Sequence, residues 1–254
     1  MAAEKTLAFV LRTQDYRDTS LLATFYTLGH GKVKAIIKGG RDARFRMGST
    51  LEPFSLNEIL IYKRRRGGDL HMVTAADLVD RYEPVRRDLE KLGTASYFME
   101  LLDQMAESEA HPEVFYLVSD ALNFLAQGHS PKRTARIFEV KLLTLLGFMP
   151  ELGQCVHCET REFNEIERFF AVGSGGIVCG KCRAAESPLV MIPKGVISFL
   201  EQAMKRTFQE LGPFKVNQEV GEKLERMMRQ FLNHHLAYAP KSLMFLEKVS
   251  QTEV

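Results

Sequence analysis

The four cysteines of this 254-residue chain are the feature that most restricts how it can fold. They form two CxxC pairs, Cys155 with Cys158 and Cys179 with Cys182, and 20 residues separate the pairs. Two residues between thiolates allow one tight turn to direct both sulfurs at the same ion, and two such turns complete a tetrahedron. Zn²⁺ prefers this geometry in closed structural sites, so the pattern predicts a zinc ribbon with one structural ion.

The spacer between the pairs supports this prediction, because it has the composition of a β-hairpin. The segments RFFAVG and GIVCG flank a turn at residues 173–176, whose sequence is GSGG. With four thiolate ligands, zinc keeps no position for water, so the metal would fold the segment and catalyse nothing. His157 lies within the first pair and is a further candidate ligand, but four thiols leave it no necessary role.

Two other uses of the cysteines stay open at the level of sequence. An even number of thiols can form disulfides, although the chain shows no secretory signal and disulfides are rare in a reducing compartment. A redox CxxC pair usually follows a βαβ pattern, which neither pair does. Since no segment approaches about 18 consecutive apolar residues, we expect no membrane span and a cytoplasmic location.

The first 80 residues have the composition of β-strands. Turn residues separate five segments rich in β-branched and aromatic residues: TLAFVLRT, SLLATFYT, GKVKAIIKG, LEPFSLNEILIYKR and DLHMVTAADLV. Five short strands in about 80 residues are typical of a small closed barrel. The five-stranded OB-fold is the leading candidate, and an SH3-like barrel is the alternative.

From residue 83 the pattern changes to the helical period. Apolar residues recur at steps of three and four from Leu92 to Met105, and two further helical segments follow before residue 150. Pro131 suits the first position of the third helix, and Gly147 suits its end. Helical patterns resume after residue 186. The sequence thus predicts an α+β protein with an OB-fold domain at 1–82, a helical domain at 83–150 and 186–254, and an inserted zinc module at 151–185.

Basic residues are concentrated near the start of the chain, although the whole chain has a net charge of only +2. Residues 31–66 hold ten Lys and Arg against three Asp and Glu, a net charge of +7, which leaves the rest at −5. In a strand over GKVKAIIK, alternate residues face opposite sides, so three lysines share the outer face. The predicted nucleic-acid contacts are Lys32, Lys34, Lys38, Arg41, Arg44, Arg46, Lys63, Arg64, Arg65 and Arg66.

A cationic barrel face suits a polyanion. Cations follow the phosphates of single-stranded nucleic acid, and an exposed aromatic residue such as Phe45 can stack on bases. No base-reading motif accompanies the cations, so binding would be largely independent of sequence. For any single lysine the alternative is a solvated polar face, and for Phe45 the alternative is packing onto the fold.

The sequence lacks the usual marks of a catalytic centre. The motifs GxxxxGK[ST], GxGxxG and HExxH are absent. His234 and His235 are adjacent on a predicted helix and point about 100° apart, which prevents joint metal binding. No pair of carboxylates stands in an apolar setting, and we therefore expect no enzymatic activity.

Three segments resemble the RecO family of bacterial DNA repair and recombination proteins. They are FVLRTQDYRDTSLLATFYTLGHGKVKAIIKGGR near the start, FEVKLLTLLGFMPELGQCVHCE at 138–159 and FFAVGSGGIVCGKC at the second cysteine pair. The resemblance covers essentially the whole chain. It implies an OB-fold followed by a helical domain with a zinc module, and it implies bound zinc because all four cysteines are present.

The resemblance also implies a function and partners. Proteins of the RecO family are recombination mediators that bind single- and double-stranded DNA and anneal complementary strands. They bind RecR and the C-terminal tail of the single-strand-binding protein, and together they help load RecA at gaps. A location at the bacterial nucleoid follows from that role.

A site for this acidic, apolar tail should be an apolar groove with cations at its edge. The helix predicted at 131–146 offers the cations Lys132, Arg133, Arg136 and Lys141 beside the apolar residues Phe138, Leu142 and Leu145. An amphipathic core helix whose basic side chains extend to solvent explains the same residues. Two other functions stay open: an adaptor whose basic face meets an acidic protein, and a zinc hydrolase or nuclease, which would need an open metal position.

Overall fold

The structure, a computed structural model, describes residues 3–42, 50–62, 70–163 and 168–252. The chain divides into two compact units, the first formed by Met1–Pro131 with Pro240–Val254 and the second by Lys132–Ala239. The first unit holds a barrel and helices, and the second holds helices, a small sheet and the cysteines. This division follows packing, and the three domains expected from the sequence stay a prediction.

Five strands close into a barrel at the start of the chain, which confirms the predicted five-stranded architecture. The strands are β1 (Ala3–Tyr16), β2 (Ser20–Thr27), β3 (Gly31–Ile37), β4 (Leu56–Tyr62) and β5 (Leu70–Asp80). Their order is β1-β2-β3-β5-β4, and β1 also pairs with β4. Neighbouring strands are antiparallel except β3 and β5, which run parallel, so the barrel is OB-like.

The side chains of strand β3 alternate between the inside of the barrel and its surface. Val33, Ala35 and Ile37 are buried, whereas the residues between them are partly or fully exposed. The buried side chains belong to one apolar core that fills the barrel, and Leu51 from the segment before β4 is part of it. Because side chains alternate across a strand, the pattern that fills the core also places lysines outside.

Helices follow the barrel, and local signals set several of their ends. They are α1 (Glu83–Arg86), α2 (Leu89–Met105), α3 (Pro112–Ala126), α4 (Pro131–Leu145), α5 (Lys194–Lys205), α6 (Phe208–Leu211), α7 (Gln218–His235) and α8 (Lys241–Thr252). The Asp88 carboxylate caps α2 by accepting a hydrogen bond from the Lys91 amide at 3.0 Å. Pro131 begins α4 as predicted, and Gly147 follows its end with a φ of 77°.

Within the described ranges, no helix combines the length and apolarity needed to cross a membrane.

In the first unit, the end of α2 and the segment after it contact the first residues of β3. The Lys32 ammonium donates to the Asp103 carbonyl oxygen at 2.7 Å, and the Lys32 amide donates to the Glu107 carbonyl oxygen at 3.2 Å. Gly31 has a φ of 60°, and a Cβ there would lie 2.1 Å from the Glu109 carbonyl oxygen. Both the backbone angle and the close approach therefore require glycine at this position.

Helix α8 returns the end of the chain to the first unit and packs on α2. The backbone amide and the hydroxyl of Ser242 both donate to Glu100 Oε2, at 3.1 and 2.8 Å. Gly93 allows the two helices to approach closely, because a Cβ at this position would lie 2.7 Å from Leu246 Cδ2. The hydrogen bonds between Glu100 and Ser242 join residues that are 142 positions apart in the sequence.

The second unit contains a three-stranded sheet. Its strands are β6 (Phe169–Ala171), β7 (Gly176–Val178) and β8 (Leu189–Met191), with β6 in the middle. Strands β6 and β7 form the predicted antiparallel hairpin, in which Phe170 lies opposite Ile177. The Phe170 ring meets Phe231 of α7 edge to face, with ring centroids 5.4 Å apart. The sheet beside the cysteines is therefore packed against α7.

Helix α4 of the second unit carries a buried ion pair. Glu139 is fully buried, and its Oε1 lies 2.8 Å from Arg136 Nη2. The two residues are three positions apart and therefore neighbours on one helix face. Removing one partner of such a pair leaves the other charge in a medium that solvates it poorly.

We expect Gly31→Ala to lower the free energy of unfolding by about 3 kcal/mol, because a Cβ would overlap the Glu109 carbonyl and the positive φ disfavours alanine. Gly128→Ala is the matched control, since Gly128 also has a positive φ (93°) but no atom lies within 4 Å of its Cβ position. The control should lose about 1 kcal/mol. Urea unfolding measures both, and equal losses would show that the contact with Glu109 does not restrain Gly31.

We expect Glu139→Ala to lower the free energy of unfolding by about 3 to 5 kcal/mol, because Arg136 would lose its buried carboxylate. The partly exposed pair Glu225–Arg229 on α7, with a separation of 3.1 Å, provides the control. Glu225→Ala should change stability by about 0.5 kcal/mol. Thermal unfolding followed by circular dichroism compares the two variants, and similar losses would contradict a structural role for the buried pair.

Candidate metal centre and nucleic-acid interface

The four cysteines converge on one point in the second unit. Their sulfur atoms all lie within 4.8 Å of one another, and those of Cys158 and Cys179 are 3.7 Å apart. Zinc–sulfur bonds of about 2.3 Å in a tetrahedron separate the sulfurs by about 3.8 Å, so the cluster has the size of a metal site. All four cysteines are free thiols, and the residues present therefore fit a metal ion.

Each CxxC pair lies in a tight turn, as its spacing predicts. In the first turn, the Glu159 amide donates to the Cys155 carbonyl oxygen at 2.9 Å, and Glu159 has a positive φ of 57°. In the second turn, the amides of Cys182 and Arg183 both donate to the Cys179 carbonyl oxygen, at 3.0 and 3.1 Å. Strand β7 ends immediately before Cys179, so the hairpin fixes the position of the second turn.

The surroundings of the thiols favour a cation. Burial opposes ionisation of Cys155, but backbone amides, those of Cys158 and Cys179 first, donate to its sulfur and lower its pKa to about 6. By contrast, the pKa of Cys182 is raised to about 12, chiefly by its hydrogen bond with the Cys179 thiol. A divalent cation would remove this difference between the pKa values of Cys155 and Cys182, because it stabilises all four sulfurs as thiolates.

His157 contacts a carboxylate outside the metal-sized cluster. Its Nε2 lies 2.7 Å from Glu186 Oε1, and the Ser174 hydroxyl donates to the same oxygen. These hydrogen bonds, that of Ser174 first, lower the pKa of Glu186. Sequence reasoning missed Glu186 and Ser174, because neither is a metal ligand and only the folded module brings them beside His157.

The lysines predicted on the outer face of β3 differ in their surroundings. Lys34 is exposed on this face, and Lys38 is exposed in the turn that follows the strand. Lys32 lies on the same side of β3 but is half-buried against the Asp103 carbonyl, and this burial lowers its pKa. Lys34 and Lys38 are therefore available to a ligand, whereas Lys32 already has a structural contact.

Arg41 lies beyond the end of β3 and contacts the β1–β2 turn. Its guanidinium lies 3.3 Å from the Asp15 carboxylate and donates to the carbonyl oxygens of Arg17 and Asp18, each at 3.4 Å. The remaining predicted contacts lie outside the described residues, as does the predicted stacking residue. They are Arg44, Phe45, Arg46, Lys63, Arg64, Arg65 and Arg66.

The described strands fix where the two basic segments join the barrel. Segment 63–69 connects the end of β4 to Leu70, which is the register partner of Lys34. Segment 43–49 follows Asp42, beyond the C-terminal end of β3. Lys34 therefore lies beside the residue at which one cation-rich segment ends, and Lys38 precedes the other segment in the chain.

A cleft of about 450 Å³ opens beside the first residues of β3. Its electrostatic character is mixed, because His30 Nε2 lies 2.9 Å from the Glu4 carboxylate and Lys32 contacts the Asp103 carbonyl. The cleft therefore adds concave space next to Lys34 and is not a second cationic centre. The lining residues are Gly29, His30, Lys32, Val33, Lys34, His71, Ser108 and Ala110.

The cations predicted at the edge of a groove on α4 have contacts within the second unit. Arg133 donates to the carbonyl oxygen of Gly212, and Arg136 pairs with the buried Glu139. Lys141 interacts with Glu210. The pKa of this carboxylate is lowered first by hydrogen bonds from Thr207, and the positive charge of Lys141 contributes to the same shift. Lys132 is exposed.

The apolar residues expected to line this groove belong mainly to the core. Phe138 and Leu142 are fully buried, whereas the exposed fraction of Leu145 is 38%. These contacts favour the alternative of an amphipathic core helix with basic residues along its side. The groove for a partner tail stays a prediction.

Comparison with known proteins gives one family along the chain. Residues 1–82 match the family model described as recombination protein O N terminal, and residues 86–244 match recombination protein O C terminal. The DNA repair protein RecO of Pelotomaculum thermopropionicum is 32% identical over 252 residues, which cover 99% of this chain and 96% of the relative. The RecO protein of Desulfatibacillum aliphaticivorans is 31% identical over 95% of both chains. The chain therefore belongs to the RecO family of DNA repair proteins.

Proposed function

We propose that this protein is a recombination mediator that binds single- and double-stranded DNA with little sequence preference. Its family supports a role in DNA repair and recombination. The observation that carries the proposal is the exposure of Lys34 on the outer side of β3 and of Lys38 in the turn that follows this strand. The basic segment 63–69 ends at Leu70, the register partner of Lys34, and the basic segment 43–49 follows Lys38 in the chain.

The proposed activity is annealing of complementary strands, with help in loading recombinase at gaps coated by single-strand-binding protein. Two phosphate backbones repel each other, and cations placed between them lower this repulsion. Neither nucleotide hydrolysis nor a catalytic residue is needed for such an effect. The protein therefore acts by binding, and we propose that it is not an enzyme.

We further propose that the cysteine cluster holds one structural Zn²⁺. Four thiolates fill the tetrahedral shell, so the ion keeps no position for a reacting water. When bound, zinc supplies cross-links between the two turns and stabilises the small sheet. The support for this proposal is the convergence of the four sulfurs within 4.8 Å.

The proposed protein partners are RecR and the acidic C-terminal tail of single-strand-binding protein, with RecA reached indirectly. This part of the proposal rests on membership of the RecO family. Association with DNA at the bacterial nucleoid is part of the same proposal. For the partner tail, exposed Lys132 is the best placed of the four predicted cations, because Arg133 and Arg136 have contacts within the second unit.

We expect the double variant Lys34→Ala/Lys38→Ala to bind single-stranded DNA about tenfold more weakly at low salt. Each lost phosphate contact should reduce the slope of log K against log salt by about 0.7, a total of about 1.4. The control Lys205→Ala/Lys215→Ala removes the same charge from exposed positions in the second unit and should change neither quantity. Fluorescence anisotropy with a labelled oligonucleotide over a salt series measures both.

Lys32 stays unchanged in this experiment, because its contact with the Asp103 carbonyl means that substitution would also alter packing. Equal effects of the two double variants would remove the β3 face from the proposal. A wild-type protein that failed to bind the oligonucleotide at low salt would instead favour an adaptor whose basic face binds an acidic protein.

We expect Cys179→Ser/Cys182→Ser to abolish metal binding and unfold the cysteine module while the first unit keeps its structure. Six of the seven tyrosines lie in the first unit, Tyr238 being the exception, so near-ultraviolet circular dichroism reports mainly on that unit. Elemental analysis should find one zinc per wild-type chain and none per variant chain. Equal zinc content in the two proteins would contradict the four-thiolate site.

A further inference from the structure

One carboxylate in the cysteine module connects the three segments that carry or position the thiols. Glu186 Oε1 lies 2.7 Å from Nε2 of His157, which stands inside the first CxxC pair. The same oxygen accepts a hydrogen bond from Ser174, in the turn of the β6–β7 hairpin. Glu186 directly follows one turn of 3₁₀ helix, Arg183–Ala185, which begins immediately after Cys182 of the second CxxC pair.

The Glu186 side chain is less exposed than that of its partner His157. Its exposed fraction is 12%, against 39% for His157, and both side-chain donors contact the same carboxylate oxygen. Its backbone is also held, because the Glu186 amide donates to the Arg183 carbonyl oxygen at 3.2 Å. We call the contacts of His157 and Ser174 with the Glu186 carboxylate the Glu186 bridge. Glu186 is therefore held both by its side chain and by its backbone.

We propose that Glu186 is a positioning residue for the metal centre, which holds the two CxxC pairs at the separation that one ion requires. Glu186 is not among the clustered ligand atoms, so its effect comes through the geometry of His157 and Ser174. The 20 residues between the pairs form a loop whose ends must meet for the metal to bind. A bridge that restricts this loop reduces the conformational entropy lost on metal binding.

This inference rests on the proposed binding of zinc, and the test separates the two. Zn²⁺ affinity of the full-length chain is measured by competition with a chromophoric chelator. We expect Glu186→Ala to bind Zn²⁺ about tenfold more weakly than wild type. Glu186→Gln keeps an oxygen acceptor and should recover most of this loss.

Glu162→Ala is the matched control, because Glu162 is an exposed carboxylate of the same module. It removes the same charge without touching the bridge and should bind Zn²⁺ within about twofold of wild type. Equal affinities of Glu186→Ala and Glu162→Ala would overturn the inference. Absence of Zn²⁺ binding by the wild-type chain would overturn the metal proposal, and this inference would fall with it.

A double-mutant cycle with His157→Ala tests whether Glu186 acts through the bridge. If it does, the double variant should bind Zn²⁺ about as weakly as Glu186→Ala alone. Additive losses would show that the two residues act independently and would overturn the bridge. Co²⁺ bound in place of Zn²⁺ should give the same tetrahedral thiolate spectrum in every variant, because all four cysteines are retained. A changed spectrum would show that the ligand set is altered and would also overturn it.

Discussion

Closure of the five strands is the constraint on which the barrel of the first unit depends. Because β1 pairs with both β2 and β4, the sheet has an inside that only alternate side chains can fill. Val33, Ala35 and Ile37 occupy that inside from β3, so the intervening residues must lie outside. The cationic side of β3 is a consequence of this alternation and does not need a separate binding motif.

The parallel pairing of β3 with β5 adds a second consequence. It places Leu70, where the basic segment 63–69 ends, opposite Lys34 in register. A barrel with the same strands in a simple meander order would place β4 beside β3 and would move this connection elsewhere. The topology therefore decides beside which residue of β3 this connection ends.

The second unit meets a different constraint, which is the small size of its sheet. Each of its strands has only three residues. The buried core cluster that contains the thiols consists of Cys155, Ala171, Val178 and Cys179. Such a small apolar cluster supplies little stabilisation from burial. We propose that a metal ion bound by the thiols, together with the Glu186 bridge, compensates for this limited core.

Much of the architecture could be predicted from the sequence, because local periods encode it. Segments rich in β-branched and aromatic residues, separated by turn residues, predicted the five strands. The Gly-rich spacer predicted the hairpin, and Pro131 predicted the start of α4. The CxxC spacing likewise determined the cluster of sulfurs, since both residues of a pair share one turn. These features depend on residues close together in the chain.

Only the tertiary structure decided which charged and polar residues make contacts with distant parts of the chain. Lys32 contacts Asp103, 71 positions away, and His157 contacts Glu186, 29 positions away. Basic residues that look alike in the sequence therefore differ in availability: Lys34 is exposed, whereas Lys32 is half-buried. Local patterns determine which side of a strand a residue occupies, but what lies against that side depends on how distant segments pack together.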